Sequence, residues 1–198
     1  MNLPNKLTLS RLALTVVFLW AVFSRSPIND TLALVLFCLA SLTDYFDGRI
    51  ARRRGLITSF GTLMDPLADK LLTCSAFIAL IERGLASPGT PVVVQAWMVV
   101  IIVGRELAIT GLRLLAASKG VTLAAEGYGK HKTISQITAI IALLVMDAYV
   151  EWWPWLQQLL RWWVPAFAQV ALWVTVTLTL TSGALYFSRN RSVYLNDL

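Results

Sequence analysis

Charge is scarce in this sequence. Only 14% of its 198 residues are charged, against 57% hydrophobic, and the mean hydropathy is +0.67. No stretch reads as a soluble domain, and no low-complexity tract, internal repeat or long linker interrupts the chain. Histidine and cysteine are nearly absent too. The single histidine, His131, reads as a solvated loop residue rather than a ligand. Cys38 and Cys74 lie inside apolar runs and match neither disulfide nor metal spacing, so they read as packing residues. The opening run MNLPNKLTLSRLALTVVFLWAVF is followed by SRSPIND, which lacks a small-x-small cleavage site. That absence favours a retained first helix over a signal peptide.

What is present is a series of apolar stretches near the length of about 20 residues that crosses a bilayer. They predict an all-α, polytopic integral membrane protein of one domain, residues 1–198, with a short N-terminal interfacial segment. Six transmembrane helices can be drawn, at about 8–24, 30–51, 61–82, 91–117, 131–149 and 166–187, separated by proline-marked connections at Pro27, SPGTP, Pro154 and Pro165. Six crossings place both termini on one side. Lys6, Arg11, Arg52, Arg53, Arg54, Lys119, Lys130, Lys132, Arg189 and Arg191 fall on that side, and Arg25, Arg83 and Arg161 on the other. The asymmetry assigns the termini to the cytoplasm. A net charge of +6 suits anionic lipid, and no soluble basic module is present to bind nucleic acid. The stretch EWWPWLQQLLRWWVP carries five of the eight tryptophans and reads as an aromatic anchor at the outer interface, with room for a short in-plane helix.

Against that apolar background, four aspartates stand out. Asp44 lies 14 positions beyond Asp30, and Asp69 lies 14 positions before Arg83. Arg105 lies 14 positions beyond Pro91. At helical rise each is about 21 Å from the outer end of its span, in the cytoplasmic third of the membrane. Asp44, Asp47, Gly48, Ala51 and Arg52 recur at three- and four-residue steps, as do Gly61, Asp65 and Asp69. Helix capping or pairing with Arg52, Arg53 and Arg54 is the bland alternative. It fits poorly, because Asp44 and Asp47 lie near the end of their helix, where the dipole opposes negative charge. Carboxylates within a membrane are expensive and default to a functional reading. Four of them on two helices would repel unless one or two hard cations such as Mg²⁺ or Mn²⁺ held them together.

Written out, the stretch is D44-x2-D47-G48-x2-A51-R52-x8-G61-x3-D65-x3-D69. It resembles the signature of the CDP-alcohol phosphatidyltransferases, with every fixed position of a 26-residue pattern present. The resemblance implies a two-metal phosphotransfer site in which an alcohol attacks the lipid-linked phosphorus of a CDP-activated lipid and CMP leaves. It further implies Asp44, Asp47, Asp65 and Asp69 as metal ligands, with Asp69 also the general base. Gly48 and Gly61 would allow close approach of the nucleotide, and Arg52 would contact its phosphates. Asn5 and Thr8, in PNKLT, would border the cytidine, although an interfacial helix cap explains those two nearly as well. A homodimer, with the third and fourth spans or neighbouring surfaces at its interface, is implied as well.

The acceptor is suggested by cations elsewhere. Arg105 and Arg113, eight positions apart in GRELAITGLR, share a helix face, and Lys130 and Lys132 in GYGKHKT open the next span. Arginine at such depth suits an acceptor that carries a phosphate. For the two lysines, plain inside-positive charge is the competing reading. Both stretches, including Glu106 and Thr110, resemble those of bacterial family members that take glycerol 3-phosphate, with CDP-diacylglycerol as donor. Members that take inositol phosphate remain the nearest alternative, since basic residues alone do not separate the two. An intramembrane prenyltransferase would leave Ala51, Arg52 and Gly61 unexplained. A divalent-cation transporter should show polar positions on both sides of the midplane and, often, a repeat. The outer halves of spans two to four are almost wholly apolar. The expected location is a bacterial inner membrane, with the site open to the cytoplasm.

Overall fold

In a computed structural model, residues 3–24, 28–54, 59–85, 94–121, 123 and 128–195 are described. Among these, side chains are described outside 3–7, 44–54, 59–63, 65–66, 69, 85, 128–130, 192 and 195. The described chain is all-helical: α1 Leu3–Phe23, α2 Asn29–Arg54, α3 Ser59–Leu85, α4 Ala96–Ser118, α5 Tyr128–Ala148, α6 Pro154–Leu160, α7 Val164–Arg189 and α8 Ser192–Leu195, with a 3₁₀ turn at Tyr149–Glu151.

The six long helices run from 21 to 27 residues, so each is long enough to cross a bilayer. Composition is stricter. Among the described residues, His131–Glu151 and Val164–Arg189 are both long and apolar enough to span, and Thr8–Phe23 and Asn29–Thr43 are shorter apolar helices. Charge in the sequence explains part of the difference: α4 carries Arg105, Glu106 and Arg113 within its 23 residues. These helices and the family described below make this a membrane protein.

Two expected boundaries shift. α4 starts at Ala96 rather than at position 91, because Gln95 is still extended at φ −93°, ψ 145°. The count from Pro91 to Arg105 is therefore not helical rise throughout. At the other end, α1 begins at Leu3. Asn5 and Thr8 lie inside that helix rather than capping it, and the described residues before position 8 are helical and continuous with the rest of α1.

One end of the bundle is pinned by polar contacts. Arg83 near the end of α3 pairs with Asp30 at the start of α2, reaches Asp147 of α5 at 3.6 Å, and donates to the Val22 carbonyl of α1 at 3.4 Å. Beside them Glu151 accepts the backbone N–H groups of Asp30 (3.0 Å) and Thr31 (2.8 Å) and the Thr31 hydroxyl (2.5 Å). These bonds satisfy donors that a helix start leaves open. Trp152 Nε1 donates to the same hydroxyl at 2.9 Å. Thus α1, α3 and α5 end where α2 begins. Below this clasp lies an apolar core in which Phe18 of α1 meets Phe37 of α2 at 5.7 Å between ring centroids.

α4 and α7 run parallel. Trp97 stacks near Trp173 at 5.8 Å, Arg105 reaches Ser182, and Arg113 reaches Tyr186. The tryptophan-rich segment forms the short helix α6, with Trp153, Trp155, Trp162 and Trp163 exposed around it. An amphipathic ring at a membrane surface needs that exposure.

Candidate active site

The Arg83–Asp30 pair gives α2 and α3 a common origin. Measured from it, Asp44 and Asp69 each lie 14 residues along their own helix, about 21 Å at helical rise. Both aspartate segments are helical, so the expected three- and four-residue steps hold on the backbone. The side chains of Asn5, Asp44, Asp47, Gly48, Arg52, Gly61, Asp65, Asp69 and Lys130 lie outside the described residues. No group of three potential metal ligands occurs among the described residues.

α1 supplies an unexpected polar stripe. Thr8 (1% exposed), Arg11 (0%) and Thr15 (6%) recur at three- and four-residue steps and are all buried. Thr15 Oγ1 donates to the Arg11 carbonyl at 2.9 Å. Arg11 lies 11 positions from Val22, whose carbonyl marks the clasped end, which puts it about 17 Å down the bundle. A fully buried guanidinium calls for negative partners. α1 packs against both α2 and α3, whose aspartates lie close to that level. In the sequence Arg11 reads as one more inside-positive residue. Its place between Thr8 and Thr15 on one helical face was the available signal.

The cations expected to meet an acceptor are better defined. Arg105 and Lys132 converge on one carboxylate: Nη1 of Arg105 lies 3.2 Å from Glu106 Oε1, and Lys132 Nζ bonds to the same oxygen. All three side chains are largely buried, at 14%, 6% and 10% exposure for Arg105, Lys132 and Glu106. Lys132 is thus a buried side chain paired with Glu106. Lys70, directly after Asp69, donates to Thr110 Oγ1, which in turn donates to the Glu106 carbonyl at 2.7 Å. That bond, rather than the distance from Pro91, sets α4 beside the signature end of α3.

Arg113 is exposed and donates from Nε to the Tyr186 hydroxyl at 3.2 Å, its guanidinium lying 5.6 Å from the Tyr186 ring centroid. Arg105 and Arg113 therefore both turn toward α7, as their shared face requires. Among the described residues, Arg105 and Lys132 thus share Glu106, Lys70 reaches Thr110 one turn on, and Arg113 lies two turns on, against Tyr186. Arg105 Nε is buried without a hydrogen-bond partner among the described residues, and so is Nε2 of Gln136, one turn beyond Lys132. Lys70 and Gln136 were missed in the sequence. Adjacency to Asp69 could have singled out the first, and a four-residue step from Lys132 the second.

Cations gathered beside an aspartate-bearing helix pair suit anionic substrates. The chain belongs to the CDP-alcohol phosphatidyltransferase family, whose sequence profile matches residues 1–181. A CDP-diacylglycerol–glycerol-3-phosphate 3-phosphatidyltransferase of Bacillus subtilis is 40% identical, covering 96% of this chain and 95% of its own length. Enzymes of the same name from Rickettsia bellii and Shigella flexneri are 34% and 31% identical, again over more than nine-tenths of both chains.

Proposed function

We propose that this enzyme transfers the phosphatidyl group of CDP-diacylglycerol to glycerol 3-phosphate, giving phosphatidylglycerol phosphate and CMP. Its relatives supply the reaction's name. The observation that supports it in this chain is that, among the described residues, Arg105 and Lys132 share Glu106, and Lys70, directly after Asp69, reaches Thr110 one turn further along the Glu106 helix. An acceptor that is itself a phosphate needs such a surface; serine or choline would not.

In this reading Asp44, Asp47, Asp65 and Asp69 would hold divalent cations, Mg²⁺ or Mn²⁺ and two per site, because hard ions take carboxylate oxygens. The donor set fits: two helical segments in register from a shared ion pair present carboxylates at helical steps. When bound, the ions polarise the diphosphate and stabilise the departing phosphate. Asp69 takes the proton of the attacking glycerol hydroxyl, whose oxygen bonds to the lipid-linked phosphorus as the bond to CMP breaks. Arg52 contacts the nucleotide phosphates, Gly48 and Gly61 let the nucleotide approach the backbone, and Asn5 and Thr8 border the cytidine. Arg105, Arg113, Lys130 and Lys132 receive the acceptor's phosphate by charge-assisted hydrogen bonds.

The wider setting belongs to the same proposal. All six long helices cross a bacterial inner membrane, and the Arg52–Arg54 segment faces the cytoplasm with the site. A homodimer would cover apolar positions of α3 and α4 such as Leu71, Ile78, Val100 and Leu107, which are exposed in the single chain.

The test is CMP release by purified protein given CDP-diacylglycerol and Mg²⁺ or Mn²⁺, with glycerol 3-phosphate, inositol phosphate, serine or no acceptor. Release with glycerol 3-phosphate alone is expected. Release with inositol phosphate instead would overturn the acceptor assignment while keeping the reaction class. No release from folded protein would reject the phosphatidyl-transfer reading and revive the prenyltransferase and cation-transport alternatives.

A further inference from the structure

α7 carries no part of the aspartate signature, and the family profile ends at residue 181, within this helix. Yet α7 is not uniformly apolar. Thr175, Thr179, Ser182, Gly183 and Tyr186 are buried and recur at helical steps, forming one stripe on an otherwise hydrophobic helix. What faces the cytoplasmic part of that stripe is α4. Ser182 Oγ lies 3.4 Å from Arg105 Nη2, and Tyr186 receives Arg113 at both hydroxyl and ring.

Between them Gly183 leaves room for the stem of Arg105. A Cβ built there would stand 3.0 Å from Arg105 Cγ and 3.9 Å from its Nε. Arginine could ordinarily swing away from such a contact. Here its head is held at two corners, Nη1 by Glu106 and Nη2 by Ser182, so displacing the stem disturbs those bonds. The third guanidinium nitrogen, Nε, is buried and has no acceptor among the described residues. A buried donor left unsatisfied is costly, and it marks where an acceptor oxygen belongs. By contrast Gly104 and Gly111 on α4 have nothing within 4 Å of an added Cβ.

We propose that Gly183 and Tyr186 are positioning residues that set Arg105 and Arg113 as a two-armed clamp for the acceptor's phosphate. The inference rests on the acceptor role given to those arginines above. Gly183 sets the first arm through space. Tyr186 sets the second by engaging Nε, which leaves the terminal amines of Arg113 directed to a ligand. Bidentate phosphate recognition needs the guanidinium plane oriented as well as nearby. An apolar helix would bury a glycine and a tyrosine hydroxyl at these two positions for that orientation.

The experiment measures both KM values and kcat for Gly183→Ala, Tyr186→Phe and Arg105→Ala in the full-length protein, plus the Gly183→Ala/Arg105→Ala double variant and Gly111→Ala as a control. Gly183→Ala is expected to raise the KM for glycerol 3-phosphate about tenfold, as when a charge-assisted hydrogen bond is misaligned, with the KM for CDP-diacylglycerol unchanged. Tyr186→Phe, which removes one oxygen and keeps the ring, should shift the same constant in the same direction by a smaller factor. In the Arg105→Ala background Gly183→Ala should add nothing, because its effect runs through that side chain. Gly111→Ala should behave as the parent. Equal losses for both substrates, or a Gly183→Ala effect that persists without Arg105, would make Gly183 a packing residue and overturn the inference alone. An Arg105→Ala enzyme with a normal acceptor KM would remove the acceptor reading beneath it.

Discussion

Glu106 holds two cations on one oxygen, so its loss should act differently from the loss of either cation. Glu106→Gln keeps the shape but leaves Arg105 and Lys132 facing each other in a buried site. Breaking a buried pair from one side costs about 3–5 kcal/mol, so this variant should unfold earlier in detergent than the parent. Glycerol 3-phosphate, arriving as an anion, should recover part of that loss, and a larger part than it adds to the parent. An unchanged unfolding midpoint would refute the buried pairing. Asp69→Asn makes the complementary case, with no charge left on the proposed base. Turnover should be abolished while CDP-diacylglycerol binding largely survives, and near-normal turnover would reject its role. At this scale the sequence was partly legible. The aspartates could be found because their spacing is local and their depth is unusual. Arg105 and Lys132 could be identified as cations, but the partner they share lies 26 positions from Lys132. Gly183 and Arg11 gave little sign of their surroundings, because a glycine's role depends on what another helix places against it.

Elements bring such distant residues into register, and the clasp at the α2 start shows how. Glu151 supplies acceptors for the Asp30 and Thr31 amides, as a capping side chain would, but from 120 residues away. The connection before it is strained, for Ile28 sits at φ 77°, a conformation rare in a β-branched residue. Glu151→Ala should therefore destabilise the fold by about 1–2 kcal/mol, the usual value of a lost helix cap. Both KM values should stay unchanged, since the aspartate level lies about 21 Å away along α2. A kinetic effect as large as the stability effect would show that the clasp and the site are coupled. Helix identities were legible from apolar length, and so were the starts of α2, α3, α5 and α7 to within three residues, whereas those of α1 and α4 were not. Position 91 reads as a start because proline favours the first turn, but Gln95 is extended and α4 starts at Ala96. Asn5 and Thr8 have capping chemistry, yet α1 has already begun at Leu3.

For the whole molecule, the clasp and the parallel α4–α7 pair together constrain topology more tightly than hydropathy does. α5 and α7 pass a test of length and composition, and taken alone they would leave the first four long helices outside the membrane. Within the bundle, Thr31 at the start of α2 bonds to Glu151 and Trp152, so the start of α2 and the tryptophan segment share one end. The charges that exclude α4 from that composition test are the ones this structure gives a purpose: Arg105 and Glu106 are buried against neighbouring helices, where a polar group in a membrane finds partners. Sided labelling decides between the two pictures. In a background carrying Cys38→Ala and Cys74→Ala, single cysteines would be placed by Ile28→Cys, Ser118→Cys and Trp162→Cys, all at exposed positions. An impermeant maleimide applied to spheroplasts should label the first and third, and inside-out vesicles should expose the second. Six crossings require that pattern, because Ile28 and Trp162 then lie together on the outer face while α4 ends in the cytoplasm. If Ile28→Cys were labelled with Ser118→Cys instead, at least one of α2 to α4 would not span, and the six-crossing arrangement that gives the aspartates their common depth would be rejected.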